Sequence, residues 1–411
     1  MKKVFAVLLA LLLVFGLVAC GGGSDPDPTP APAAPAAPGN EENEDEGGAE
    51  LSGDTLYIGV VAPMSGPTVL VGTYQMQGAT LAMEMINAEG GILGRPVELI
   101  FSDEVDNLQD SVNATNWLLA NDDLTAIVGS MFSQYNLAVM PRVLEEEIPY
   151  FASGSSSGVS NEGNPFTWQV RPIDTFQGLA LANFAIEELG VQNPAILHST
   201  QSTFASLAEQ TVEAFRSLGV EITDTNMFGF PEEETNYVPY FAQVLDGDFD
   251  AIIAMANQMP AALMMQQAQL AGVDPHEIPL IGSTSFGSNV AITNAEAAAD
   301  YWYSIADWVP GGSTPAGHAF EEAFVARFGE PSDLPAAAAF DAIMLIRHAA
   351  ELAGSTDRIA INDALSQVSN FPGVISYFSS FPDHVFATAL SVTRNIDQQM
   401  TLIQGIQFRQ P

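Results

Sequence analysis

Two α/β lobes, each a parallel sheet covered by helices on both faces, are predicted by three features of the 411-residue sequence. Short apolar runs recur without polar alternation, segments of helical period fall between them, and the alternation occurs in two series that meet near Arg171. From about residue 54 to the end the composition is globular, and that length suits two lobes better than one core.

The first series opens with TLYIGVVA (55–62), a run suited to a strand buried on both faces, and continues with apolar residues at helical spacing over 76–88. VELIFSD, a helix near 110–119, LTAIVGS, a helix near 135–144 and IPYFAS complete it. The second series begins with a helix over 175–188 and the strand PAILHS, then a helix over 204–217 and the strand VEITDTNMF. A helix around 237–245, DAIIAMA, a helix over 261–271 and IPLIGS follow. Strand, helix, strand connections of this kind build parallel sheets with right-handed crossovers.

Open α/β sheets bind ligands beyond the carboxyl ends of their strands, which directs attention to two hydroxyl-rich segments. Gly129-Ser130-Met131-Phe132-Ser133 follows one strand, and PYFASGSSSG carries Ser153, Gly154, Ser155 and Ser156 at the end of another. Ser133 is expected at a helix N-cap with free backbone amides behind it, a donor cluster suited to a carboxylate. GSSSG also fits the G-x-S-x-G pattern of a hydrolase nucleophile elbow. That elbow requires a helix at once, whereas VSNEGNPF reads as a turn-rich loop without helical period. Of the histidines only His384 follows in a suitable order, and nothing ties it to this loop. The serines are therefore read as holding a ligand, and no catalysis is expected.

Composition excludes several other classes. The chain has 11 Lys and Arg against 50 Asp and Glu, net −39, and contains no lysine after Lys3. Such a surface is a poor partner for nucleic acid or anionic lipid, both of which require basic residues. Without a lysine there is no P-loop, no G-x-G-x-x-G follows a strand, and neither C-x-x-C nor H-E-x-x-H occurs, so no cofactor or metal is expected. Runs such as Glu145-Glu146-Glu147 and Glu232-Glu233-Glu234 are read as solvated faces. Trp302, Tyr303 and Trp308 in YWYSIADWVP are read as core aromatics that could alternatively wall a cleft, and Met255, Met259, Met264 and Met265 as packing.

At the amino terminus, Lys2 and Lys3 precede an apolar run that ends at Cys20, the only cysteine. This order reads as a secretory signal over 1–19, too short and too abruptly ended for a membrane span. Leu17-Val18-Ala19-Cys20 resembles a bacterial lipobox, which implies lipidation of Cys20. Residues 20–53 are rich in Gly, Pro, Ala and acid, and read as a disordered tether between a membrane and the folded body. A lone cysteine permits no disulfide within the chain, so the fold rests on its core.

The segment PMSGPTVLVGTYQMQGATLAMEMINAEGGILGRPVELIFSDEVDN resembles the leucine/isoleucine/valine-binding family of ABC-transporter solute-binding proteins. The resemblance continues through Gly129 to Ser133, Ala138 with Pro141, and NPFTWQVRPIDTFQG, where Arg171, Asp174 and Gln177 fall at the family's entry to its second lobe. It implies the type I periplasmic-binding fold, with a three-segment hinge and a ligand enclosed between the lobes. The implied boundaries are 54–173 plus 286–376 for lobe 1 and 174–285 plus 377–411 for lobe 2. On this resemblance Ser133, Gly154, Ser155 and Ser156 hold the head of a small amino acid or carboxylate, joined by Thr203, Tyr237 and Asn257. The family's ammonium-binding acid aligns with Pro260, with Asn257, Gln258, Asp103 or Glu104 as substitutes, so an amine-free acid or amide is the alternative ligand. The implied partners are a small-molecule ligand and an ABC permease, with the membrane reached only through the lipid, no nucleic acid, and a monomeric state. A ligand-sensing module for a signalling partner fits the same fold.

Overall fold

A computed structural model describes residues 53–312, 314–387 and 389–407. The signal segment, Cys20 and nearly all of the tether lie outside them.

The first sheet holds β1 (Leu56–Ala62), β2 (Val97–Asp103), β3 (Leu124–Val128), β4 (Tyr150–Ala152) and β5 (Thr167–Gln169), all parallel, in the order β2-β1-β3-β4-β5. Between them run α1 (Val69–Ala88), α2 (Leu108–Leu119), α3 (Ser133–Glu146) and the short α4 (Ser157–Asn161). The second half comprises α5 (Asp174–Glu187), β6 (Pro194–Ser199), α6 (Ser202–Ser217), β7 (Met227–Phe230), α7 (Val238–Leu245), β8 (Ala251–Met255) and α8 (Gln258–Leu270). It continues with β9 (Leu280–Gly282), α9 (Asn289–Ala295) and β10 (Tyr303–Ala306).

The chain then returns to the first half through α10 (Pro315–Phe328), α11 (Leu334–Ala353), α12 (Arg358–Leu365), β11 (Phe371–Pro372), β12 (Tyr377–Ser380) and β13 (Phe386–Ala387). A bridge from Gln169 to Val385 and a bond from the Gln169 amide to the His384 carbonyl attach this small ribbon to the edge of the first sheet. Finally β14 (Ala389–Ile396) and β15 (Gln399–Gln407) add an antiparallel hairpin to the second sheet, whose order is β15-β14-β10-β9-β8-β6-β7.

Apolar runs such as AIIAM in β8 and LTAIV in β3 are buried at every position, as a strand covered on both faces requires. One face of the first sheet packs against α1, α10, α11 and α12, the other against α2 and α3. The second sheet lies between α5 with α6 and α7 with α8 and α9.

Several expectations are corrected. Residues 286–306 belong with the second sheet, because β10 pairs in parallel with β9, whereas β12 and β13, within 377–387, pair in the ribbon of the first. Helix α1 begins at Val69, seven residues before its apolar spacing becomes regular, and the strand expected in VEITDTNMF is confined to its end, in β7. VSNEGNPF is not wholly a loop, since Ser157–Asn161 forms one helical turn. Of the four methionines assigned to packing, Met259 is exposed.

Helices α1 and α11 approach at Gly78, where a Cβ would overlap the Ala336 carbonyl and backbone, and the facing α11 surface is the alanine run 336–339. Gly78→Ala should therefore force the helices apart and destabilise the protein by ~1–3 kcal/mol, the usual range for overpacking. Chemical denaturation measures this, and unchanged stability would contradict the close approach.

Candidate functional site

The carboxyl ends of β3 and β4 face those of β6, β8 and β9 across a cavity of about 70 Å³. A single water needs roughly 10–15 Å³ on this measure, so the space admits several waters or one small solute. From the first half come Met131 and Phe132 after β3, Ser155 after β4, Val71 of α1, and Asp333, Leu334 and Pro335 at the start of α11. The second half supplies Thr203, Phe204 and Leu207 of α6, Asn257 and Gln258 before and in α8, and a hydroxyl-rich loop from Ser283 to Ser288. Arg171, Asp307 and Trp308, on the segments that connect the two sheets, close the back.

The sequence-predicted residues separate into wall and support. Ser155, Thr203 and Asn257 line the cavity. Ser133 does not. It is the first residue of α3 rather than its cap, lies fully buried, and its Oγ accepts the Ser156 amide at 3.1 Å. Gly154 packs directly behind, where a Cβ would meet Ser133 Oγ at 2.6 Å and Asn136 Nδ2 at 2.7 Å, and its carbonyl accepts Gln169 Nε2 at 2.8 Å. Ser156 caps α4 by accepting the Gly158 amide at 3.2 Å. Among the described residues its hydroxyl bonds only to the Gly158 amide, not to a histidine.

Tyr237 is corrected outright. It is fully buried against Phe230 in the core of the second half, and its hydroxyl donates to the Glu234 carbonyl at 2.7 Å. Asp103 and Glu104 do not reach the cavity either. Asp103 accepts the Met64 and Ser65 amides, while Glu104 is buried beneath the β3 loop. Its two carboxylate oxygens accept Ser130 Oγ at 2.9 Å and Ser111 Oγ at 3.0 Å, and Ser130 Oγ in turn accepts the Phe132 amide at 2.9 Å. Glu104 thus fixes the turn that presents Met131 and Phe132. Pro260 sits in the first turn of α8 and does not line the cavity.

Sequence reasoning missed the charged groups of the wall. Arg171 Nε donates to Asp307 Oδ2 at 2.6 Å and its Nη1 to the Ser153 carbonyl at 3.0 Å, all within a buried setting. Asp333 caps α11, with Oδ1 accepting the Leu334 amide at 2.7 Å. Asp307 Oδ1, Asp333 Oδ2, Thr203 Oγ1 and Ser283 Oγ are buried without a hydrogen bond of normal geometry. Burial raises Asp307 against the pull of Arg171, and pushes Asp333 up to about 6 against the nearby Leu334 and Asn289 amides. Asp174, at the start of α5, is raised by burial to about 6 against the Ser206 and Ser155 hydroxyls and Arg171.

A family model described as periplasmic binding protein matches residues 55–399, nearly all of the described body. The chain belongs to this family. Its members bind solutes outside the cytoplasm and catalyse no reaction. This periplasmic binding protein is 21% identical over 318 residues to the leucine-, isoleucine-, valine-, threonine- and alanine-binding protein of Pseudomonas aeruginosa, covering 77% of this chain and 83% of that one. The fold is similar to that of the leucine binding protein LivK from Thermotoga maritima, with a TM-score of 0.78, 23% identity, and 85% and 98% of the two chains covered. It is likewise similar to LivJ from Streptococcus pneumoniae, solved with isoleucine, with a TM-score of 0.76, 24% identity, and 85% and 99% coverage.

The buried carboxylates give this binding protein a distinctive pH response. Burial raises Glu104 to about 7 despite its two hydroxyl donors, and Asp341 to about 7 despite the Val374 and Ile375 amides. Groups raised in this way bind more protons in the folded than in the unfolded chain, so their contribution is full below about pH 4 and is lost as pH rises toward and through 7. His198 and His384, lowered by burial, act in the opposite direction below about 6.5. The contribution of Glu104 is isolated by comparing the protein with Glu104→Gln, whose serine partners can reverse donor and acceptor. The variant should gain on the parent by up to ~3 kcal/mol between pH 5 and 8 in denaturant unfolding. Parallel profiles would show that Glu104 titrates normally.

Proposed function

We propose that the chain is the solute receptor of an ABC importer, held to the membrane by a lipid on Cys20, that captures a small amino acid of branched-chain type or a related carboxylate. One observation carries the reading: both sheets and the connecting segments converge on a cavity in which four buried polar wall atoms, Asp307 Oδ1, Asp333 Oδ2, Thr203 Oγ1 and Ser283 Oγ, lack a hydrogen bond of normal geometry. A buried polar atom without a hydrogen bond costs about 1–3 kcal/mol, so a cluster of them favours a ligand that supplies the missing bonds. The apolar remainder of the wall, formed by Val71, Met131, Leu207, Leu334 and Met400, suits an aliphatic side chain. The named ligands of the relatives point the same way.

Ser155, Thr203 and Asn257 contact the solute directly, while Ser133, Gly154 and Ser156 hold the β4 loop in shape behind them. Binding acts by population shift: contacts from both halves favour the closed form, and three connecting segments serve as the hinge. The first spans residues 170–173 and the second begins at Asp307, after β10. The closed form is recognised by a permease. Among the described residues no helix is long and apolar enough to cross a membrane.

Titration with leucine, isoleucine, valine and alanine should raise the melting temperature saturably, with about 2.7 kcal/mol gained at a hundredfold excess over Kd. A melt unmoved by the whole panel overturns the reading. Thr203→Val gives a sharper signature, because it removes a partnerless hydroxyl at constant volume. The unliganded variant should be as stable as the parent or more so, yet bind solute with affinity lower by roughly 5- to 30-fold. Equal affinity would remove Thr203 from the site. Cys20→Ser should move the protein from the membrane to the soluble fraction, and retention at the membrane would contradict the anchor.

A further inference from the structure

Asn289 and Ser332 meet across the two halves, and neither lines the cavity. Asn289 is the first residue of α9, in the second half, directly after the wall residue Ser288. Ser332 precedes α11, in the first half, directly before the wall residue Asp333. Asn289 Nδ2 donates to the Ser332 carbonyl at 3.0 Å, a contact between residues 43 positions apart. The Asn289 carboxamide also meets the Tyr74 hydroxyl of α1, and its main-chain amide lies near the Asp333 carboxylate. One residue of the second half thus touches both α1 and the approach to α11. Other bonds between the halves, such as Ser157 Oγ with Thr175 Oγ1 at 3.1 Å and the Asp174 amide to the Ser155 carbonyl at 2.8 Å, flank the first connecting segment and are held together by it. Asn289 and Ser332 adjoin no connecting segment in the sequence, so the approach of the halves has to bring them together.

The acceptor is held in one direction. Ser332 is fully buried, its hydroxyl donates to Glu321 Oε2 at 2.5 Å and accepts Trp308 Nε1 at 2.8 Å, and its amide donates to Glu321 Oε1 at 3.3 Å. Glu321 of α10 and Trp308 of the second connecting segment therefore fix it from two sides, and Trp308 is itself on the cavity wall. An acceptor set in advance needs only the donor from α9 to arrive, at little further cost in order.

We propose that Asn289 is a positioning residue for solute capture: its carboxamide clasps the Ser332 carbonyl when the halves close, which prolongs retention of the solute without touching it. A bond made only in the closed form shifts the population toward that form, and slows release rather than hastening entry. The inference rests on the reading of the cavity as a solute site.

The test uses the whole protein with Asn289→Ala and Asn289→Asp, leucine as the probe, and stopped-flow tryptophan fluorescence, for which Trp308 on the wall supplies the signal. Asn289→Ala should release leucine about 5- to 10-fold faster, with association changed by less than about twofold and unliganded stability near that of the parent. Asn289→Asp is the discriminating variant. A carboxylate favours the first turn of a helix, so a merely structural role for Asn289 ranks Asp at or above Asn. A clasp ranks it below Ala, because a carboxylate has no donor for the Ser332 carbonyl and would stand beside that of Asp333. An unchanged dissociation rate in Asn289→Ala, or leucine retention by Asn289→Asp equal to the parent's, overturns the clasp. If leucine does not bind the parent, the solute reading fails by itself and small-angle scattering of the unliganded proteins decides the clasp. A larger radius of gyration in the variants then supports it, and superposable profiles overturn it.

Discussion

The buried bond between Arg171 and Asp307 is the constraint around which both halves are arranged. Arg171 lies on the first connecting segment and Asp307 on the second, so the pair joins two strands of the hinge that are far apart in sequence. The guanidinium also reaches the Ser153 carbonyl, which ties the end of β4 to the same point. Such a pair is weak evidence for stability, because two desolvated charges cost nearly what their attraction returns. Its value here is geometric. A planar guanidinium with fixed donors locks the directions in which the segments leave the two sheets, and removal of either partner strands the other charge at the hinge.

From this junction the polarity of the cavity follows. The back wall is occupied by a pair that is already neutral, and the loops beyond β4 and β9 bring hydroxyls to its sides. Behind the β3 and β4 loops, Ser133, Gly154 and Gln169 form an inner layer that leaves the β4 loop little freedom. Glu104, Ser130 and Asn136 do the same for the β3 loop, where Asn136 Nδ2 donates to the Ser130 carbonyl at 3.1 Å and Tyr150 donates to Asn136 Oδ1 at 2.8 Å. Most polar groups in these supports are satisfied. On the wall itself Asp307 Oδ1, Asp333 Oδ2, Thr203 Oγ1 and Ser283 Oγ are not, and the contrast separates scaffold from receptor.

Strands were legible because a buried parallel strand is an apolar run whatever its neighbours, as AIIAM and LTAIV show. What periodicity does not encode is which sheet a strand joins. For that reason β10, preceded by the irregular stretch after β9, was expected in the wrong half. Ser155 and Thr203 were legible as wall residues since hydroxyls following strand ends have few other uses. Tyr237 was not excluded, because an aromatic residue at a helix start reads the same whether it faces a cleft or, as here, the core around Phe230. Asp333 in Asp-Leu-Pro reads as an ordinary helix cap, and it is one. Its second oxygen acquires significance only through burial by α9 and the β9 loop, a tertiary fact that no local pattern carries.

The same limit applies to charge. Net charge of −39 concentrates cations near the surface, but such a field is screened within about 8 Å at physiological salt and does not distinguish one cation from another. Surface acids such as Glu233 remain solvated, and water meets their charge at little cost. Asp333 and Asp307 stand in a medium where each missing hydrogen bond is expensive and salt does not enter. Any discrimination among solutes therefore rests on the desolvated atoms of the wall rather than on the many exposed acids. An acidic exterior raises the local supply of any cation, whereas the interior favours a solute whose polar groups complete the unpaired atoms of the wall.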